Sequence, residues 1–188
     1  MKHEKIEINP VKRFLLDNFE DLLLGAAFIL GAFFGVLFPL GQAELFGIFR
    51  IGNSFYGQLA VTLLPLVCCF VLVFFCGTSP IGFLSPSILF LCGLLIGTSV
   101  DLFLKNHSYG LYLLCCLPVL LFTGILLVRV TKTGLSLSAR LLMLCTGGGA
   151  ADLSLRFRLF LRQSVVCFLL LILGCVLFSA LRFYVFAG

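Results

Sequence analysis

Five uninterrupted apolar runs dominate this chain, at residues 22–40, 59–76, 82–104, 109–130 and 164–187. Each is close to the ~20 residues that a helix needs to cross the hydrocarbon layer of a bilayer. Membrane-spanning strands are about half that length and alternate in polarity. These runs do not alternate, so the expectation is an all-α integral membrane protein of about five transmembrane helices. Composition agrees: 61% of the 188 residues are hydrophobic, 11% are charged, and the mean hydropathy is +1.20. A soluble domain is nearer half apolar and a quarter charged, and in water this chain would carry large exposed apolar patches. The whole of 1–188 reads as one membrane domain. Its first 21 residues form a charged, amphipathic tail with no apolar run, so no cleavable signal peptide is expected and the first run reads as a retained span.

Lys and Arg in the flanks set the expected orientation. The N-terminal tail, the 77–81 turn and the segment around 131–163 together hold ten basic residues, and the opposite side holds three, Arg50, Lys105 and Arg182. The N-terminus is therefore expected in the cytoplasm and the C-terminus outside. Tyr56, Tyr109, Tyr112 and Tyr184 then all fall at outer span ends, where tyrosine favours the headgroup region. The net charge of +5 is thus a set of topology signals and not a nucleic-acid footprint. Residues 134–144 are apolar enough to lie on the membrane, so a surface helix is expected in the 131–163 cytoplasmic segment. Residues 152–162, DLSLRFRLFLR, alternate like a strand. No partner strand exists, so a helix leading into the last span is the better reading. There Arg140, Arg156, Arg158 and Arg162 would meet anionic headgroups, either as ordinary positive-inside anchoring or in a specific lipid or partner contact.

No catalytic pattern is present. The chain lacks HExxH, GxSxG and a Walker-type loop. Ser79, Ser85 and Ser87 have no histidine or buried lysine beside them, and a nucleophilic serine needs a base. Nine cysteines occur without a CxxC, eight of them within or at the edge of apolar runs, where a thiol behaves as a small hydrophobe. The two histidines, His3 and His107, lie outside the spans. Asp101 sits at the outer end of the third run with Lys105 four residues on, a helix-end pair. No metal or cofactor is expected.

Small residues are the richer signal. Gly31/Gly35 in the first run and Gly93/Gly97 in the third are both GxxxG, the spacing that lets helix backbones touch. They would serve either packing within the bundle or a homodimer seam. Residues 77–86, GTSPIGFLSP, are the least lipid-like stretch at membrane depth. Ser79-Pro80 and Ser85-Pro86 each read as an N-cap followed by proline at the first helical position, so two starts for the third helix are open.

The order of these features resembles the stage II sporulation protein M family. A charged amphipathic N-terminus leads into a glycine-spaced span. A G-x-S-x-I-G segment follows (Gly77, Ser79, Ile81, Gly82), with Pro86 after it. Next come a GxxxG helix (Gly93, Gly97) and a proline-containing span, LPVLLFTGILLVRVTKTGLSLSARLL, that runs into a small-polar cytoplasmic segment. The basic lead-in LRFRLFLRQ precedes the last span. The resemblance implies a non-enzymatic multi-pass membrane protein of the sporulation septum. It would act in engulfment as a scaffold with stage II sporulation proteins D and P, the components that degrade septal peptidoglycan. The alternative class is a small transporter or channel subunit with a broken-helix site at 77–86.

Overall fold

In the computed structural model, residues 18–38, 55–80, 82–106, 110, 117–146 and 153–187 are described. They form five long helices and no strand. These are α1 (Phe19–Leu37), α2 (Phe55–Thr78), α3 (Ser85–Asn106), α4 (Leu117–Cys145) and α5 (Leu153–Ala187), with a 3₁₀ turn at Gly82–Leu84 before α3. By length and composition, α1, α2, α4 and α5 can each cross a membrane, while the apolar part of α3, Ser85–Val100, is shorter. The architecture is compatible with a multi-pass membrane protein.

Local chemistry sets several helix ends. Glu20 and Asp21 occupy the first turn of α1, where carboxylates favour the positive end of the helix dipole. At the other end the Phe38 N–H still donates to the Phe34 carbonyl, but its backbone (φ −125°, ψ 71°) has left the helical region, which the residue before a proline, here Pro39, disfavours. Pro65 lies inside α2 without ending it. Membrane helices tolerate this because neighbouring helices can satisfy the freed backbone.

Two expectations about the basic segment need correction. The fourth span was expected to end near residue 130 and to be followed by a separate surface helix. Instead α4 is continuous from Leu117 to Cys145. Its second half is no surface element, because Thr131, Gly134, Leu137 and Ser138 are buried. Charges such as Arg129 and Lys132 favour water over lipid, but they do not break a helix. Only the glycine run after Cys145 brings a composition that disfavours one. The lead-in to the last span is helical, as expected, and is part of the 35-residue α5. At 1.5 Å per residue α4 and α5 are ~43 and ~52 Å long, well beyond a hydrocarbon layer of ~30 Å. The expected stretch 109–116 of the fourth span lies largely outside the described residues.

Neighbouring contacts give the helix directions. Gly31 and Gly35 of α1 face Phe90 and Leu94 of α3 in rising order, so these two helices are parallel. Asp21 meets Lys132 while Phe28 meets Gly124, so α4 runs against α1. Phe122 meets Gly174 while Gly134 meets Phe160, so α5 runs against α4. This alternation is the one that five successive crossings require. It brings the start of α1, the 77–86 break, the end of α4 and the start of α5 to one end of the bundle.

The core is a single cluster drawn from all five helices, with Leu24, Leu66, Leu89, Ile96, Leu127, Leu137 and Leu171 almost fully enclosed. The outward faces are also apolar: Ile29, Phe33, Leu64, Phe75, Leu121, Leu169 and Leu177 are exposed. Helices that are apolar all round belong in lipid or in a large core.

Candidate functional site

The glycine motifs meet each other. A Cβ on Gly31 would overlap the backbone of Phe90, and one on Gly35 that of Leu94. Reciprocally, a Cβ on Gly93 would overlap the carbonyl of Phe28, and one on Gly97 that of Ala32. The two GxxxG pairs thus form one parallel seam, α1 against α3, with backbone touching backbone. This is the packing role within the bundle, of the two roles the spacing allowed.

The 77–86 segment is closed by α4. Gly77 and Gly134 are opposed so tightly that a Cβ on either would lie 2.8 Å from the other's Cα, and the Phe160 ring covers both. Phe160 also stacks on Phe74, centroids 5.3 Å apart. The Gly82 N–H donates to Ser138 Oγ at 2.8 Å, and also reaches the Ser79 carbonyl at 3.2 Å. The Ser79 N–H in turn donates to the Cys76 carbonyl at 3.2 Å.

The structure decides between the two Ser-Pro steps. Ser79-Pro80 forms the turn after α2, and α3 begins at Ser85-Pro86. The Ser85 hydroxyl does not act as the expected cap acceptor. It is fully buried and donates to the Gly82 carbonyl at 2.6 Å, which ties the 3₁₀ turn to the helix start. Pro86 sits in the first turn of α3, where its missing N–H costs nothing. Ile81 lies outside the described residues, as do the side chains of Asp101 and Lys105.

The same end of the bundle carries a cluster of charges. Lys132 Nζ and Asp21 Oδ2 are 2.7 Å apart and link α4 to the start of α1. Both side chains are more than a third exposed, so the pair contributes about 0–1 kcal/mol in an aqueous setting. Two open-sided grooves flank the ridge formed by Arg129, Thr133 and Gln163. One, of about 590 Å³, lies between α1 and α4 and contains the Asp21–Lys132 pair. The other, of about 700 Å³, lies between α4 and α5 and takes Arg129, Arg156 and Arg162 together. Arg140 and Arg158 are exposed and line neither groove.

Several residues escaped sequence reading. Ser138, Gly134 and Phe160 hold the break shut. Thr131, Gly134 and Ser138 recur at helical spacing, a signal for a small-residue face that their polar neighbours concealed. Arg182, counted as a boundary charge, is 1% exposed near the far end of α5. Arg129, read only as the edge of a span, joins the α5 arginines. Among the described residues no group of three or more His, Cys, Asp or Glu could hold a metal ion. Comparison with known proteins returned no matching family model, no matching curated protein and no matching solved structure.

Proposed function

We propose that this chain is a non-enzymatic membrane scaffold of the kind seen in the stage II sporulation protein M family. It would sit in the cell membrane with the N-terminus cytoplasmic and the C-terminus outside, at the sporulation septum during engulfment. Its partners would be stage II sporulation proteins D and P, which would carry the cell-wall hydrolysis. The observation that supports this reading is the closure of the 77–86 segment. The stretch that most resembles the family is held to α4 by the Gly77–Gly134 contact and by the Gly82–Ser138 hydrogen bond. A conduit built on broken helices needs that backbone to line a cavity, whereas here Gly77 is covered by Gly134 and Phe160, and Gly82 by Ser138. Backbone-close seams make a bundle stiff, which suits a platform that holds other proteins in register.

The test is co-purification from sporulating cells with an affinity-tagged chain. The two hydrolytic partners should be retained, and Gly134→Val, which pries α4 from the break, should release them. Absence of both partners would overturn the reading. Solute flux through the purified chain in liposomes, lost on Gly82→Leu, would instead favour the transporter alternative.

A further inference from the structure

The groove between α4 and α5 combines two chemistries that seldom meet on one surface. Its upper wall is lined by three arginines, Arg129 from α4 with Arg156 and Arg162 from α5, and no carboxylate lines it. Among the described residues none of these three side chains has an ion-pair or hydrogen-bond partner. Its lower wall is aliphatic, with Ile125 on α4 and Val166 and Leu170 on α5. The sister groove differs in the feature that matters: its Lys132 is already satisfied by Asp21.

The order of these residues along the helices matches a membrane boundary. Toward the bundle end lie the arginines, Ser136 and Gln163, and one to three helical turns deeper lie the aliphatic residues. Guanidinium pairs bidentately with phosphate, and basic pockets between helices are suited to lipid headgroups. A volume of about 700 Å³ is within the range of small-ligand sites, ~300–1,000 Å³. That accommodates a headgroup and the upper part of an acyl chain, with the remainder running along the apolar face of α5.

We propose that this groove is a binding site for one anionic phospholipid. Its phosphate is held by Arg129, Arg156 and Arg162, and one acyl chain lies against Ile125, Val166 and Leu170. The lipid would tie the ends of α4 and α5 together where they leave the hydrocarbon layer. The proposal does not depend on the scaffold reading.

Arg140 and Arg158 supply the control, since they lie on the same two helices near the same end but outside the groove. The full chain is purified in a mild detergent and titrated with phosphatidylglycerol or phosphatidylcholine, and bound lipid is counted by native mass spectrometry. The wild-type chain should retain one phosphatidylglycerol in preference to phosphatidylcholine. The triple variant Arg129→Gln/Arg156→Gln/Arg162→Gln should lose affinity by about tenfold or more. Arg140→Gln/Arg158→Gln should change it less than about twofold. Val166→Trp fills the aliphatic wall without altering charge and should also weaken retention. Gel filtration verifies that each variant is monodisperse, and Arg129→Gln alone replaces the triple variant if that one aggregates. Equal losses in the two arginine sets would mean diffuse surface charge and overturn the proposal. So would equal retention of both lipids, an unchanged Val166→Trp variant, or displacement of the lipid by glycerol phosphate at matched concentration.

Discussion

Two helix seams in this molecule use glycine in opposite ways. Between α1 and α3, the notches at Gly31, Gly35, Gly93 and Gly97 are filled by the backbone of the facing helix. Between α4 and α5, the notch at Gly174 is filled by the Phe122 ring. The first seam has no movable part, because a carbonyl cannot step aside without moving its helix. The second can adjust, because a ring can change rotamer. The adjustable seam is also the one that opens at its charged end into the arginine-lined groove. Rigidity and a potential binding surface are thus assigned to different helix pairs.

Substitutions can break this contrast. Gly97→Ala should cost about 3 kcal/mol or more, since its methyl would overlap Ala32 backbone atoms. No trimming of neighbouring side chains should restore it. Thermal melting in detergent, followed by gel filtration, measures the loss, and full recovery on trimming Phe28 would refute the backbone-contact account. Gly174→Ala should cost less, about 1–2 kcal/mol, and Phe122→Leu should relieve much of it in the double variant. Additive losses in that pair would mean the ring does not fill the notch.

Ser138→Ala sharpens the comparison at the 77–86 break. It removes a buried acceptor, and an unsatisfied buried donor can cost about 1–3 kcal/mol. The Gly82 N–H still reaches the Ser79 carbonyl at 3.2 Å, and hydrogen bonds between membrane helices average only about 0.6 kcal/mol. The expected loss is therefore about 1 kcal/mol, with faster amide exchange at Gly82 as its local signature. An unchanged exchange rate there would exclude Ser138 as the lock. The smallest effect is expected at Gly25, which belongs to no seam: a Cβ there meets nothing within 4 Å. Gly25→Ala should raise stability by about 0.5–1 kcal/mol through helix propensity alone, and a lowered melting temperature would reveal a contact that the bundle does not show.

Much of the fold was legible because hydropathy is a local property. The apolar runs at 22–40, 59–76 and 82–104 all became helices near their expected bounds. The GxxxG pairs were recognisable as contact points, though not as partners of one another. The basic segment was misread because two signals coincide there. Charge disfavours lipid, but it does not mark where a helix ends. In the resulting α4 the buried face beyond residue 130 sets Leu137 beside Thr131, Gly134 and Ser138, and those three are too small or polar to register as core by hydropathy. The candidate groove was half legible: Arg156 and Arg162 were singled out, Arg129 was not, and Arg140 and Arg158 proved to lie elsewhere.

The sequence by itself determined the helical character of this protein, its capacity to cross a membrane, and the clustering of charge between certain spans. Those properties depend on neighbouring residues and on the cost of exposing apolar groups or unpaired backbone. Only the tertiary structure decided which glycines face which backbones, that α4 closes the 77–86 break, and that three arginines from two helices share one groove. In helices that are apolar all round, no periodicity marks the buried face. The rotation of each helix is then chosen by close packing between residues far apart in the chain, and packing is a property of pairs.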